Sequence, residues 1–219
     1  MPMGALPSTD NEGYKSLRER IDTALKLCKE ESSIDFKKAN VWDELKDIVI
    51  KTSLAMANLR DGGIIIVGVQ ENSGRWEITG LEQEQVETFD PDVILDQVNR
   101  YASPPISLDI VTHALGDGKI LLVININEFD DKPIVCQRNK HNQSNELVLR
   151  EGAVYVRPIG KAETTEVKSD RQMHELLDLS SEKMTRKFLE KCGRVGIGIS
   201  GQGTSDDDKQ KFDEELAGL

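Results

Sequence analysis

The chain has 219 residues, a formal net charge of −11 and three cysteines. That length suits one domain with a sizeable core plus extensions. The charge excludes a protein that coats nucleic acid through overall basicity, though not one with a local basic face. With no run of about eighteen apolar residues, nothing is expected to span a membrane.

The opening, MPMGALPSTDNEG, lacks the basic start and apolar core of a secretory signal. Cys28, Cys136 and Cys192 lie far apart, which reads as free thiols in a reducing cytoplasm rather than a disulfide frame or zinc site. Residues 1–12 read as disordered. From Tyr14 to Glu30 the recurrence of Leu17, Ile21, Leu25 and Cys28 predicts a helix.

Ser33 to Ala39 alternates, with Ile34 and Phe36 on one face and Asp35 and Lys37 on the other, the period of a half-buried strand. Asn40 can cap a helix over Val41–Arg60, which Asp61-Gly62-Gly63 stops. Ile64 to Val69 is nearly all β-branched, as in an interior strand buried on both faces. A turn at Asn72-Ser73-Gly74 leads into a short return strand at Trp76–Thr79.

Pro91 opens a helix over Val93–Tyr101. Ile106–Ala114 and Lys119–Asn127 form a hairpin around Gly116-Asp117-Gly118. Pro133–Gln137 is a further short strand, and Arg138–Glu146 a mobile polar loop. Leu147–Arg150 and Ala153–Arg157 flank a turn at Glu151-Gly152, and Thr165 to about Cys192 is largely helical. Residues 193–219 read as mostly disordered, with a tail from Gly201 that holds six acids and two bases. The class is α+β with a mixed sheet.

If the Ser33–Ala39 and Ile64–Val69 strands are neighbours, the carboxylates of Glu30, Glu31, Asp35 and Glu71 meet Lys37 near one sheet edge. Such carboxylates suit a hard divalent cation. They are equally consistent with a solvated strand edge that Lys37 neutralises. Lys37, Lys38, Arg60, Arg150 and Arg157 are candidates for a phosphate-binding face, against which stands an ordinary charged surface. For Arg157 the structural alternative is a salt bridge to a sheet acid. Trp42 and Trp76 read as core or interface fillers. Gly196-Ile197-Gly198-Ile199-Ser200-Gly201 matches G-x-G-x-x-G but lacks the strand before and the helix after, so it reads as a linker. No Walker A sequence occurs.

Four pieces in order carry a family resemblance. They are Glu31–Lys37 (ESSIDFK), Ala57–Gly63 (ANLRDGG), Ile64–Val69 followed by Gly80-Leu81, and Pro133 with Val154–Arg157 (VYVR). Together they resemble the AlbA_2 domain of Schlafen proteins and of many prokaryotic regulators, over about residues 30–165. Residues 1–29 would then be an N-terminal extension, and 166–219 a C-terminal helix with an acidic tail.

The resemblance implies an Alba-like sheet that binds DNA or RNA, often as a dimer, so nucleic acid and a second copy are the expected partners. Some members of that family are ribonucleases dependent on magnesium or manganese, with three acids. Carried over, the second acid is Asp35, the first Glu30 or Glu31, and the third falls on Gln70 or Glu71, where nucleases carry Asp. With Glu31, Asp35 and Glu71 as metal ligands this would be a nuclease; with the third position degraded it would be a non-catalytic binding module. A third reading is an oligomeric scaffold assembled through the N-terminal helix and the Thr165–Cys192 helix.

Overall fold

The computed structural model describes residues 12–158 and 160–196. The expectations for the first eleven residues, the acidic tail and nearly all of the G-x-G-x-x-G run lie outside them. In chain order the elements begin α1 (Glu12–Leu27), β1 (Ile34–Lys37), α2 (Trp42–Met56), β2 (Gly63–Val67), β3 (Val69–Asn72) and β4 (Arg75–Ile78). There follow α3 (Gln83–Val86), α4 (Pro91–Asn99), β5 (Ala102–Ser103), β6 (Leu108–Ala114), β7 (Ile120–Ile126) and β8 (Val135–Cys136). The described part ends with β9 (Lys140–His141), β10 (Leu147–Leu149), β11 (Tyr155–Val156), β12 (Thr165–Glu166) and α5 (Asp170–Arg194). The chain divides into two compact units, Met1–Ser180 and Ser181–Leu219, with the boundary inside α5.

The first unit is built on a four-stranded sheet in the order β1-β2-β7-β6. β1 runs parallel to β2, whereas β2–β7 and β7–β6 are antiparallel, so the sheet is mixed and the fold is α+β. Successive residues of β2 point to opposite faces. Ile64 and Ile66 join Ile34, Phe36 and the α1 residues Ile21 and Ala24 in one apolar cluster. Ile65 and Val67 join Val49, Ile50 and Leu54 of α2 in the other. Burial on both sides is why β2 is unbroken β-branched sequence. Gly68, at φ +105°, separates β2 from β3 and lets the chain leave the sheet as the β3–β4 hairpin.

Several local expectations needed adjustment. α2 stops at Met56, not Arg60, because the chain turns to bury Asn58. Its N-cap is Val41, and the Asn40 side chain accepts from the Val41 amide at 2.9 Å. The polar segment 138–146 is not simply a loop: it contains β9, which pairs with β10. Gly62 sits at φ +63°, and any Cβ there would meet the Ile126 carbonyl and lie 2.9 Å from the Glu128 amide, so only glycine fits. In the first unit α5 contributes Leu176 and Leu179 to the core. In the second unit its exposed surface carries the Arg186–Glu182 pair at 3.1 Å.

Candidate functional site

The site is built at β1, an edge of the main sheet. Pairing of Ile34 with Ile64 through to Lys37 with Val67 makes the two strands neighbours. Just before β1 the chain doubles back. Glu31 and Ile34 exchange backbone hydrogen bonds of 3.1 and 3.2 Å across Ser32-Ser33. That turn lays the preceding residue along the strand, and Glu30 Oε1 accepts from the Phe36 amide at 3.0 Å. Glu30 is therefore the first acid beside Asp35. Glu31 contributes its carbonyl, which accepts from Arg157 Nη2 at 3.2 Å, while the residue itself is exposed.

Asp35 is only 3% exposed. Alternation put it on the polar face of β1, but that face is covered too, because the segment after β11 packs on it and delivers Arg157. The guanidinium Nη1 donates to Asp35 Oδ1 at 2.9 Å. Lys37, two residues along the same face, ion-pairs with Oδ2 and donates to the Phe36 carbonyl at 3.2 Å. The Lys37 contact is an ion pair without the alignment of a hydrogen bond, and Arg157 Nε is buried with no hydrogen-bond partner among the described residues. One carboxylate thus sits between two cations. Burial pushes the Glu30 carboxyl above its ordinary range, and the neighbouring Asp35 charge pushes the same way; the Phe36 amide, Lys37 and Arg157 only partly offset this.

The other candidates are dispersed. Glu71 lies on the β3–β4 hairpin, paired across the ladder with Trp76, and is exposed. Trp76 packs at a tilt against Phe36 with ring centroids 5.1 Å apart, and Trp42 meets Phe89 at 5.9 Å, so both tryptophans pack within the protein. Lys38 is exposed just past β1. Arg60 is exposed beyond the end of α2, where with Arg20, Ser33, Asp61 and Glu128 it borders a cleft of about 650 Å³. Arg20 reaches the Asp61 and Gly62 carbonyls at 3.4 Å each, and burial lowers its pKa against the pull of Asp61. Arg150 leaves the edge altogether and pairs with Glu166 of β12 at 2.6 Å.

The model of the family described as Schlafen, AlbA_2 matches residues 30–173, about two thirds of the chain. The chain belongs to the Schlafen AlbA_2 family. A search of the curated proteins returned no match. Among solved structures, the DIP2311 protein from Corynebacterium diphtheriae is 19% identical, with 75% of this chain and 29% of that one covered at a TM-score of 0.47. The N-terminal domain of a RecG-related protein from Nitrosomonas europaea is 24% identical over 69% of this chain and 94% of that one, at a TM-score of 0.41. The chain thus spans under a third of the first of these proteins.

Within this AlbA_2 domain the pieces of sequence that carry the resemblance acquire physical tasks. Asn58, which sequence reasoning named only as part of the ANLRDGG motif and gave no role, is buried and clamps two loops. Its Nδ2 donates to the carbonyls of Ile134 and Tyr155 at 2.9 and 3.0 Å, and its Oδ1 accepts from the Ile134 amide at 2.7 Å. The signal was present: a polar amide between the apolar end of α2 and Gly62-Gly63 has to find partners if it is buried.

The magnesium or manganese site of some AlbA_2 nucleases is not reproduced by the donor set at β1. Asp35 is neutralised by two cations, which would repel a metal, and Glu30 Oε1 is taken by the Phe36 amide. Among the described residues no three His, Cys, Asp or Glu side chains are grouped to hold a metal ion.

Proposed function

We propose that this AlbA_2 domain is a non-catalytic, regulatory nucleic-acid-binding module acting in the cytoplasm. The observation that carries the reading is the engagement of Asp35 by Arg157 and Lys37. It turns the acid a nuclease would need into a brace, and Arg157 and Lys37 formally balance Asp35 and Glu30, so the cation this edge presents to solvent is the exposed Lys38. Phosphates are drawn to such an edge, and each neutralised phosphate releases counterions. The three cysteines are free, in keeping with a reducing compartment, and no helix among the described residues is long and apolar enough to cross a membrane.

Fluorescence anisotropy with labelled single-stranded DNA, duplex DNA and RNA at low salt tests the reading. Binding is expected, weakening as salt rises, and Lys38→Glu should weaken it across all sequences alike. No binding to any of the three would end the proposal. A parallel incubation of tRNA and single-stranded DNA with manganese should leave both intact. Manganese-dependent cleavage of either by the wild-type chain would replace the binding module with a nuclease.

A further inference from the structure

β6 is an edge strand, and among the described residues no other strand pairs with its outer side. It pairs with β7 over all seven residues, Leu108 with Ile126 through Ala114 with Ile120, with no shift of register. Beyond its two ends, the Ser107 carbonyl accepts from the Asn127 amide and the Leu115 amide donates to the Lys119 carbonyl. In an antiparallel ladder the residues bonded to the neighbour alternate. The amides and carbonyls of Asp109, Val111 and His113 therefore face β7. Those of Leu108, Ile110, Thr112 and Ala114 point away from the sheet, and among the described residues nothing outside the ladder bonds them.

Natural sheets blunt an edge of this kind with lysine, proline, a bulge or a very short strand. β6, LDIVTHA, has no lysine or proline, its ladder with β7 is bulge-free, and it is seven residues long. An edge left regular, long and unprotected is a template for another strand.

We infer that this edge pairs with the same edge of a second copy, antiparallel about a two-fold axis at Val111, to give one continuous sheet across a homodimer. The argument for a second copy is self-complementarity. Outward-facing groups must meet outward-facing groups, and the register centred on Val111 does this while pairing all seven residues. It sets Leu108 opposite Ala114, Ile110 opposite Thr112 and Val111 opposite itself. The only charged residue, Asp109, does not meet itself across the axis; it falls opposite the other copy's His113, which is buried and lies 3.5 Å from Asp22 of its own chain. An isologous contact of this kind closes at two chains and leaves no further β6 edge exposed. The inference is independent of nucleic-acid binding, and salt separates the two. Copies that each carry −11 associate better as salt rises, whereas binding to phosphates weakens.

The test uses the full chain. Sedimentation equilibrium should show a monomer–dimer equilibrium that shifts toward dimer with added salt. Amide exchange followed by NMR should show Leu108, Ile110, Thr112 and Ala114 becoming protected as concentration rises, while Asp109, Val111 and His113 stay protected throughout. Thr112→Pro removes only an outward donor, so it should shift the equilibrium to monomer while the β7 ladder stays protected. Under mild oxidation Val111→Cys should give a disulfide-linked dimer that the wild-type chain, with its three native cysteines, does not. A monomer at every concentration overturns the inference. So does a dimer whose four outward amides exchange freely, or a monomer in which they are protected by something other than a second copy.

Discussion

Two arginines seven positions apart, Arg150 and Arg157, each hold a carboxylate, and they do so in opposite surroundings. Arg150 meets Glu166 at 2.6 Å with its side chain 56% exposed. Arg157 meets Asp35 at 2.9 Å with its side chain 1% exposed. The shorter contact is the weaker device. At the surface, water and salt screen the pair and both side chains give up rotamer freedom to make it, so its net worth is small. In the interior neither charge has water to fall back on, so each depends on the other. The lesson is that distance ranks these pairs wrongly and burial ranks them correctly.

The largest effect that can break this comparison is Asp35→Ala. It leaves two cations buried without their anion and should cost about 3–5 kcal/mol of stability in urea denaturation. Replacing Asp35 and Arg157 together by leucine and methionine should recover part of that loss, since only Lys37, which is partly exposed, then lacks its anion. If Asp35→Ala unfolds at the wild-type midpoint, the brace does not exist. Asn58→Ala is the uncharged counterpart. It strips buried partners from the Ile134 amide and carbonyl and from the Tyr155 carbonyl, and should cost about 1–3 kcal/mol by the same measurement.

A smaller effect concerns Glu30, whose carboxyl is pushed up, first by burial and then by Asp35. A group that binds its proton more tightly in the folded chain contributes fully below the ordinary carboxylate range. That contribution fades as pH rises from the ordinary value through the raised one. Glu30→Gln keeps the acceptor for the Phe36 amide and cannot ionise. Its melting temperature should therefore gain on wild type across that window and hold the gain above it; a lead confined to lower pH would contradict the assignment. The smallest effect is Arg150→Ala. It should move the melting temperature barely at low salt and not at all at high salt, despite a pair in which the contact with Arg150 holds Glu166 below its usual range.

How much of this was legible follows from how local each signal is. Ile64 to Val69 read as a doubly buried strand because nearly unbroken β-branched sequence has few other uses, and the fold buries the whole run, although β2 itself ends at Val67. The β6–β7 hairpin read from Gly116-Asp117-Gly118 because turn chemistry is local. Asp35 read as solvent-facing because alternation alone places it there, and no local pattern announces a partner 122 residues away. The choice between Glu30 and Glu31 depended on the backbone exchange across Ser32-Ser33, which shifts which carboxylate lies along the strand. β9 was hidden because two residues in a polar run carry no periodicity.

What the amino-acid order determined by itself was the family and the mixed α+β class, since periodicity, turn residues and motif order all act over short spans of chain. What only the tertiary structure decided was the state of the charges. Whether Asp35 is a ligand in water or an anion locked between Arg157 and Lys37 depends on which distant segment covers it, and desolvation, which sets the strength of every ion pair here, is a property of the packed whole.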